Sequence, residues 1–299
     1  MSLDSVKIEV IRTCEEMSRI SAQIRAEGKK VGFVPTMGAL HDGHLSLVRE
    51  SLKQTDVTIV SIYVNPTQFA PDEDLSKYPR PFESDLELLE NLGVSHVFAP
   101  TDDIMYPASD VHGETGYGGT LVQPPEIAAE LEGLKRPAHF QGVVTIVLKL
   151  FNVVCPEVAF FGQKDYQQAL VIQQMAKDLN LSVDIQICPI VREKSGLALS
   201  SRNVYLSESE KVQAQALSAS LTRAANLVRA GQTNRKILEN EMTDSLHAAG
   251  IRNIEYTAVA CAKTLKQPDQ IRMPVVCLVA AYVGSTRLID NTVIDKNSN

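Results

Sequence analysis

The 299-residue sequence has no tryptophan, and aromatic side chains make up only 5% of it. Its five cysteines (Cys14, Cys155, Cys188, Cys261 and Cys277) are widely spaced, odd in number and form no CxxC pair. That usage argues against a disulfide frame or zinc knuckle and for thiols in a reducing compartment. Basic charge is scarce: 29 Lys and Arg face 36 Asp and Glu, a formal net charge of −7. A domain built to neutralise nucleic-acid phosphates is not expected, although a local basic pocket stays open. Long apolar runs are missing too. The longest, Val143–Cys155, is interrupted by Lys149 and falls short of the ~20 residues that cross a bilayer. Asp4, Lys7 and Glu9 keep the first ten residues from reading as a secretory signal. Neither phosphate-binding signature, GxxxxGKS/T or GxGxxG, occurs, nor does a GxSxG elbow; Gly116–Gly119 has glycines at the wrong spacing. The expectation is a soluble, cytoplasmic, globular protein without nucleic-acid or membrane partners.

What is present suffices for a sizeable core: 44% hydrophobic against 22% charged residues. In the first half, short strand-like runs (Val31–Pro35, Thr58–Val64, His96–Ala99, Glu157–Phe161, Val183–Ile187) alternate with helical stretches such as Glu83–Leu92 and Asp165–Leu179. Asp102–Pro125, rich in Gly, Pro and polar residues, reads as loops. Strand–helix alternation predicts an α/β, Rossmann-like, mostly parallel sheet with helices on both faces. After Pro189 the texture changes. A capping box at Ser207–Glu210 opens a long helix to about Ala230, a second helix covers roughly Arg235–Ala249, and strands follow at Ile254–Ala260, Val275–Val283 and Thr286–Ile289. This predicts a smaller C-terminal α+β domain, with domains of 1–187 and 188–299 and a boundary near Ile187–Pro189.

Three loops carry the candidate chemistry. Pro35–His44 (PTMGALHDGH) joins the first of these strands to a helix, the position where open α/β sheets bind ligands. If Asp42 caps that helix, His41 and His44 lie at its N-terminus, where amides and the dipole attract anions. The bland alternative is that one histidine caps and the other packs; no Cys or acidic residue nearby completes a zinc set. Next is Phe161–Gln168 (FGQKDYQQ), where Lys164 and Gln168 share a helix face if the first turn begins early. Lys164 suits a phosphate and Asp165 a ribose hydroxyl, or Asp165 and Gln168 form a plain capping box. Third is Val191–Asn203 (VREKSGLALSSRN), two hydroxyls and a guanidinium fit for phosphate oxygens, or an exposed polar linker. Gln68, in Asn65–Gln68, closes a strand on the same rim as His44, or satisfies a turn.

Taken together, VPTMGALHDGH, YVNPTQF, EDLSKYPR, RPAHFQGVVTIVLKLFNVV, FFGQKDYQQ, LSSRN and GSTRLIDN resemble the pantoate–β-alanine ligases (pantothenate synthetases) of the HxGH nucleotidylyl-transferase superfamily. The resemblance covers nearly the whole chain. It implies an AMP-forming ligase: ATP activates pantoate to pantoyl-adenylate with release of pyrophosphate, and β-alanine then displaces AMP. It also implies Mg²⁺ on the ATP phosphates, with Asp85 as an indirect partner, and a homodimer. By motif, Met37, Gly38, Ala39, Leu40, His41, Asp42, Gly43 and His44 hold ATP, His44 standing where the family has its proton donor. Gly162, Gln163, Lys164 and Asp165, the backbone of Val191, and Leu199, Ser200, Ser201 and Arg202 complete the ATP site, the last four resembling the superfamily's KMSKS loop. The same resemblance implies that Gln68 and Gln168 grip pantoate, with Gln68 also near β-alanine.

The physics agrees with that reading. Carboxylate attack at the α-phosphorus builds negative charge, and His41, His44, Lys164, Ser200 and Arg202 are donors able to stabilise it. The family usually has Glu where Gln163 stands, Asp for Ser195 and Met for Leu199; the first two exchanges remove negative charge beside the nucleotide. Two other readings stay open: a nucleotidylyltransferase for a phosphorylated alcohol, and a non-catalytic ATP-binding module.

Overall fold

β-Branched and aromatic runs form the strands of the first half of the chain, and amphipathic stretches form the helices between them. The computed structural model describes residues 7–71, 73–107 and 119–295. Along it run β1 (Glu9–Ile11), α1 (Cys14–Ala26), β2 (Val31–Thr36), α2 (Asp42–Gln54), β3 (Val57–Ile62), α3 (Phe82–Glu90) and β4 (His96–Phe98). Two short helices, α4 (Asp102–Met105) and α5 (Glu132–Lys135), precede α6 (His139–Val154), β5 (Val158–Gly162), α7 (Tyr166–Asp178) and β6 (Asp184–Cys188). Then come α8 (Glu208–Arg229), α9 (Arg235–Ala248), β7 (Ile254–Cys261), β8 (Val275–Val283) and β9 (Thr286–Ile294). The chain divides into two units: residues up to Gly162 with Gln168–Cys188, and Gln163–Gln167 with everything from Pro189 onward.

In the first unit six strands pair in parallel in the order β1-β4-β3-β2-β5-β6. Alternate residues of β2 serve opposite faces, as a pleated strand requires. Phe33 shares a core with Met17 of α1 and Val147 of α6, whereas Val34 packs with Leu45 and Val48 of α2 and Leu89 of α3. Helices therefore cover both faces. From β2 the chain runs outward through β3 to β4, while β5 pairs on the other side of β2. The carboxyl ends of β2 and β5 thus flank the point where strand order reverses, the crevice in which such sheets bind ligands.

In the second unit β7, β8 and β9 form an antiparallel sheet. Leu217 and Leu221 of α8 and Leu238 and Met242 of α9 share one core with alternate residues of β8, among them Val275, Cys277 and Val279. The capping box forms as expected: Ser207 Oγ accepts from the Glu210 N–H at 3.3 Å, and the Ser207 N–H donates to Glu210 Oε2 at 2.8 Å.

The departures from expectation are local. β1 and α1 carry too short or too charged a pattern to stand out, and the apolar run from Val143 belongs to α6. The stretch Asp102–Pro125 opens with α4, and its residues 108–118, Gly116 and Tyr117 included, lie outside the described ones, as do the first six residues. β9 extends to Ile294, five residues beyond the predicted end, because the polar Asp290 and Asn291 are buried in it. Gly142 of α6 has a steric purpose. A Cβ there would lie 2.5 Å from the Thr67 carbonyl oxygen and 2.7 Å from the Gln68 nitrogen. Only glycine lets α6 lie against the 3₁₀ turn Pro66–Gln68 that carries a candidate substrate residue.

Candidate active site

The loop leaving β2 is held from several sides. Thr36 Oγ1 donates to the Ser61 carbonyl at 2.7 Å and accepts from the Gly38 N–H at 3.2 Å. Gly38 and Ala39 both adopt left-handed backbone (φ +77° and +50°), a conformation that costs a non-glycine residue on the order of 1 kcal/mol or more. A Cβ on Gly38 would meet Asp85 Oδ2 at 3.0 Å. Asp85, on α3 and 1% exposed, accepts the Ala39 and Leu40 amides at 2.8 and 2.7 Å, one on each carboxylate oxygen. Burial pushes its pKa up, and the two amide hydrogen bonds pull against that rise. Expected as an indirect metal partner, Asp85 uses both oxygens to shape this loop.

Helix α2 is capped by His41, not Asp42. His41 is extended (φ −141°, ψ 174°), and its Nδ1 accepts from the Gly43 N–H at 3.1 Å. His44 Nδ1 accepts from the His41 N–H at 3.4 Å, so the two histidines close a reciprocal capping box, with ring centroids 4.1 Å apart. Asp42 becomes the first helical residue, where its charge still suits the dipole, 3.6 Å from Arg49. An Nδ1 that accepts a hydrogen bond carries no proton, so each ring bears its N–H at Nε2. The helix start thereby joins the positive end of a dipole and two imidazole donors.

Gln68 lies on the 3₁₀ turn after β3, 9% exposed. Its Nε2 donates to the Met37 sulfur at 2.9 Å, and its Oε1 accepts from Asn65 Nδ2 at 3.2 Å. Sulfur is a weak acceptor, so this donor is held lightly. The Gln68 main chain is fixed by residues to which the sequence alone assigns no role. His139 Nδ1 donates to the Gln68 carbonyl at 3.0 Å, while His139 Nε2 accepts from Arg136 at 3.1 Å; Arg136 in turn forks onto Glu73 at 2.7 and 2.5 Å. The signal available in sequence was an Arg and a His at the mouth of an otherwise apolar helix.

Burial, reinforced by the Arg136 charge, lowers the His139 pKa from 6.5 to about 4. The unfolded chain therefore takes up a proton between those values that the folded chain refuses, so the stability His139 contributes is present above pH 6.5 and lost as pH falls toward 4. The loss is on the order of 3 kcal/mol. Urea unfolding of the protein and of His139→Gln across pH 7.5 to 4.5 checks this: the substituted protein has the shallower pH dependence, and equal slopes would refute it.

In the second unit, α7 begins only at Tyr166, after a 3₁₀ turn over Gln163–Asp165. Lys164 therefore precedes the helix and does not share a helix face with Gln168, which sits half-buried in the first turn of α7 and belongs to the first unit. Lys164 Nζ is 3.6 Å from Asp165. Residues 191–199 are no loose linker but a small hairpin: Leu199 N–H donates to the Val191 carbonyl at 3.0 Å, Glu193 N–H to Leu197 at 2.9 Å, and Arg192 pairs with Ala198. Gly196 (φ +92°) makes its turn. Ser200 then caps the 3₁₀ helix Ser201–Tyr205, accepting from the Arg202 N–H at 3.3 Å. Lys164 and Ser200 line one small cavity with Asn203, Asp290, Leu197 and Leu288. Each unit thus gathers its own set: Met37–His44, Gln68 and Asp85 in the first, Gln163–Asp165 and Val191–Arg202 in the second.

A doubly wound sheet with an HDGH helix start at its switch point defines an α/β enzyme of the nucleotide-handling class. The sequence model of the family "Pantoate-beta-alanine ligase" matches residues 9–293. Pantothenate synthetase of Pseudothermotoga lettingae is 46% identical over 285 residues, 95% of this chain and 98% of that protein. The Dehalococcoides mccartyi pantothenate synthetase is 49% identical over 261 residues, 87% and 94% of the two chains. The crystal structure of pantothenate synthetase from Thermus thermophilus superposes with a TM-score of 0.87 at 38% identity, covering 95% of this chain and 99% of that one. That of the Francisella tularensis pantoate-beta-alanine ligase complexed with beta-gamma ATP and beta-alanine has a TM-score of 0.75 at 33% identity, covering 96% and 97%. The chain belongs to the pantoate–β-alanine ligase family and is a ligase that forms an amide bond.

Proposed function

We propose that Met37–His44 holds the ATP phosphates while this ligase joins pantoate to β-alanine. Pantoate's carboxylate attacks the α-phosphorus, the bond to pyrophosphate breaks, and a pantoyl-adenylate forms; the β-alanine amine then attacks the acyl carbon and AMP leaves. The observation that carries the assignment is the helix start itself, where His41 and His44 cap with Nδ1 and so bear their protons on Nε2. Such donors, with the dipole of α2, stabilise charge on the phosphoryl oxygens and on departing pyrophosphate. Lys164, Ser200 and Arg202 add to them, and Gly162–Asp165, Val191 and Leu199–Arg202 complete the nucleotide site. Gln68, lightly held by Met37, exchanges that sulfur for a pantoate hydroxyl, and Gln168 supplies the second amide. Among the described residues no group of three or more His, Cys, Asp or Glu is placed to hold a metal, so Mg²⁺ is proposed to come with the ATP phosphates, whose charge it balances.

Residues 1–187 are proposed to bind ATP and pantoate, and residues 188–299 to act as the lid that excludes water from the hydrolysable adenylate. A cytoplasmic homodimer is part of the same reading; among the described residues no helix is long and apolar enough to cross a membrane. With ATP, Mg²⁺, pantoate and β-alanine, the protein is expected to release AMP and pyrophosphate in step with amide formation. Without β-alanine, pyrophosphate release stops near one equivalent per site. AMP formation indifferent to both organic substrates overturns the proposal.

A further inference from the structure

We propose that Asn291, far along the chain on β9, is a positioning residue for Lys164; the inference rests on the role given to Lys164 above. A lysine ammonium rides on four rotatable methylenes, so its reach is defined only as well as the main chain beneath it is held. That main chain is a single 3₁₀ turn, Gln163–Asp165. Asn291 Nδ2 donates to the carbonyls of both Gln163 and Lys164, at 2.9 Å each, and Asn291 Oδ1 accepts from Gln163 Nε2 at 3.2 Å. Two carbonyls facing one side-chain atom identify that atom as the amide nitrogen, which leaves the oxygen for Gln163. Asn291 is 2% exposed and lies inside a strand registered against Leu278. The clamp is therefore anchored on sheet, not on loop.

The neighbouring residue makes the arrangement more than a local tie. Asp290, 4% exposed, takes Arg192 in a fork at 2.7 and 2.9 Å, and Arg192 also donates to the carbonyls of Gly196 and Asn291 at 3.0 and 3.3 Å. Two consecutive residues of β9 thus hold the turn that bears Lys164 and the hairpin that leads into Ser200–Arg202. Lys164, Ser200 and Asp290 line the same cavity. Buried polar residues in a strand interior cost stability unless satisfied, and here they are satisfied by the segments proposed to meet phosphate.

The test is a double-mutant cycle on adenylate formation by the full-length protein. Asn291→Asp keeps the side chain's size, removes both donated hydrogen bonds and turns a carboxylate oxygen toward the two carbonyls. It is expected to lower kcat by roughly 10- to 100-fold, the effect of a small misplacement of a reacting group, with a smaller change in the KM for ATP. Because Asn291 acts through the lysine, adding Asn291→Asp to Lys164→Ala slows that variant no further. Equal slowing in both backgrounds, or wild-type turnover in Asn291→Asp beside a slow Lys164→Ala, overturns the positioning role and leaves the lysine's role standing. Wild-type turnover in Lys164→Ala removes the lysine itself, and the clamp's purpose with it. Should thermal melts show Asn291→Asp unfolded, Asn291→Ala, which buries no new charge, carries the same cycle. If neither variant folds, Asn291 is a structural residue and the proposal falls.

Discussion

His44→Ala is expected to slow pantoyl-adenylate formation by roughly 10²–10³, the usual cost of losing one preorganised donor to a developing oxyanion. Two functions leave with the ring. One is the Nε2 proton; the other is the Nδ1 lone pair that accepts the His41 N–H and completes the cap of α2. His44→Asn separates them, because an asparagine oxygen can replace Nδ1 in the cap while nothing replaces Nε2. It is therefore expected to melt near the parent temperature and remain slow, whereas His44→Ala is slow and also loses about 1 kcal/mol of cap. Single-turnover release of pyrophosphate from ATP and pantoate, read beside a thermal melt, checks both. Turnover within about threefold of the parent in His44→Asn, far inside the loss expected of a missing donor, would remove the imidazole from the chemistry.

Asp85→Ala is the second large effect, and it acts through the loop that leaves β2. Its removal takes away the two oxygens that accept the Ala39 and Leu40 amides. A buried amide deprived of its acceptor costs about 1–3 kcal/mol. The left-handed pair Gly38–Ala39 then has less to hold it in that conformation. A relaxed loop misdirects the helix start proposed to meet the phosphates, so kcat/KM for ATP is expected to fall by on the order of 10², equivalent to about 3 kcal/mol. Asp85→Asn retains one acceptor and aims an NH₂ at the other amide, so it recovers little. Steady-state kinetics with ATP varied decide the matter: an unchanged kcat/KM in Asp85→Ala denies the carboxylate its loop-shaping role.

Much of this architecture is legible in the sequence because it depends on near neighbours. The alternation of strand and helix, the Ser207–Glu210 box and the span of β8 all follow from residues within a few positions of one another. Reading fails where two distant segments settle a local question. Asp42 is the better capping residue by type, yet the chain leaves the loop extended at His41 because Asp85, 45 positions from Leu40, pins the amides before it. Gln163 looks like a loss of charge in isolation. In the fold its amide donates to Asn291, 128 positions away, a bond that a carboxylate cannot donate. Likewise, nothing in the spacing of Arg136, His139 and Glu73 announces that they anchor the carbonyl of Gln68. Ser195 is plainer: its hydroxyl accepts from the Leu197 amide at 3.4 Å and donates to Glu193 at 3.3 Å, ordinary turn bonds within the hairpin.

The assignment of Gln163–Gln167 to the second unit, although both its flanks belong to the first, bears on how the gene can be dissected. A fragment stopping at Cys188 would carry those five residues without Asn291 to receive them, and a fragment starting at Pro189 would keep Asn291 with nothing to receive. Neither half is a clean module, and mixing the two separately expressed pieces would have to rebuild, as an intermolecular joint, a seam that the intact polypeptide makes within itself.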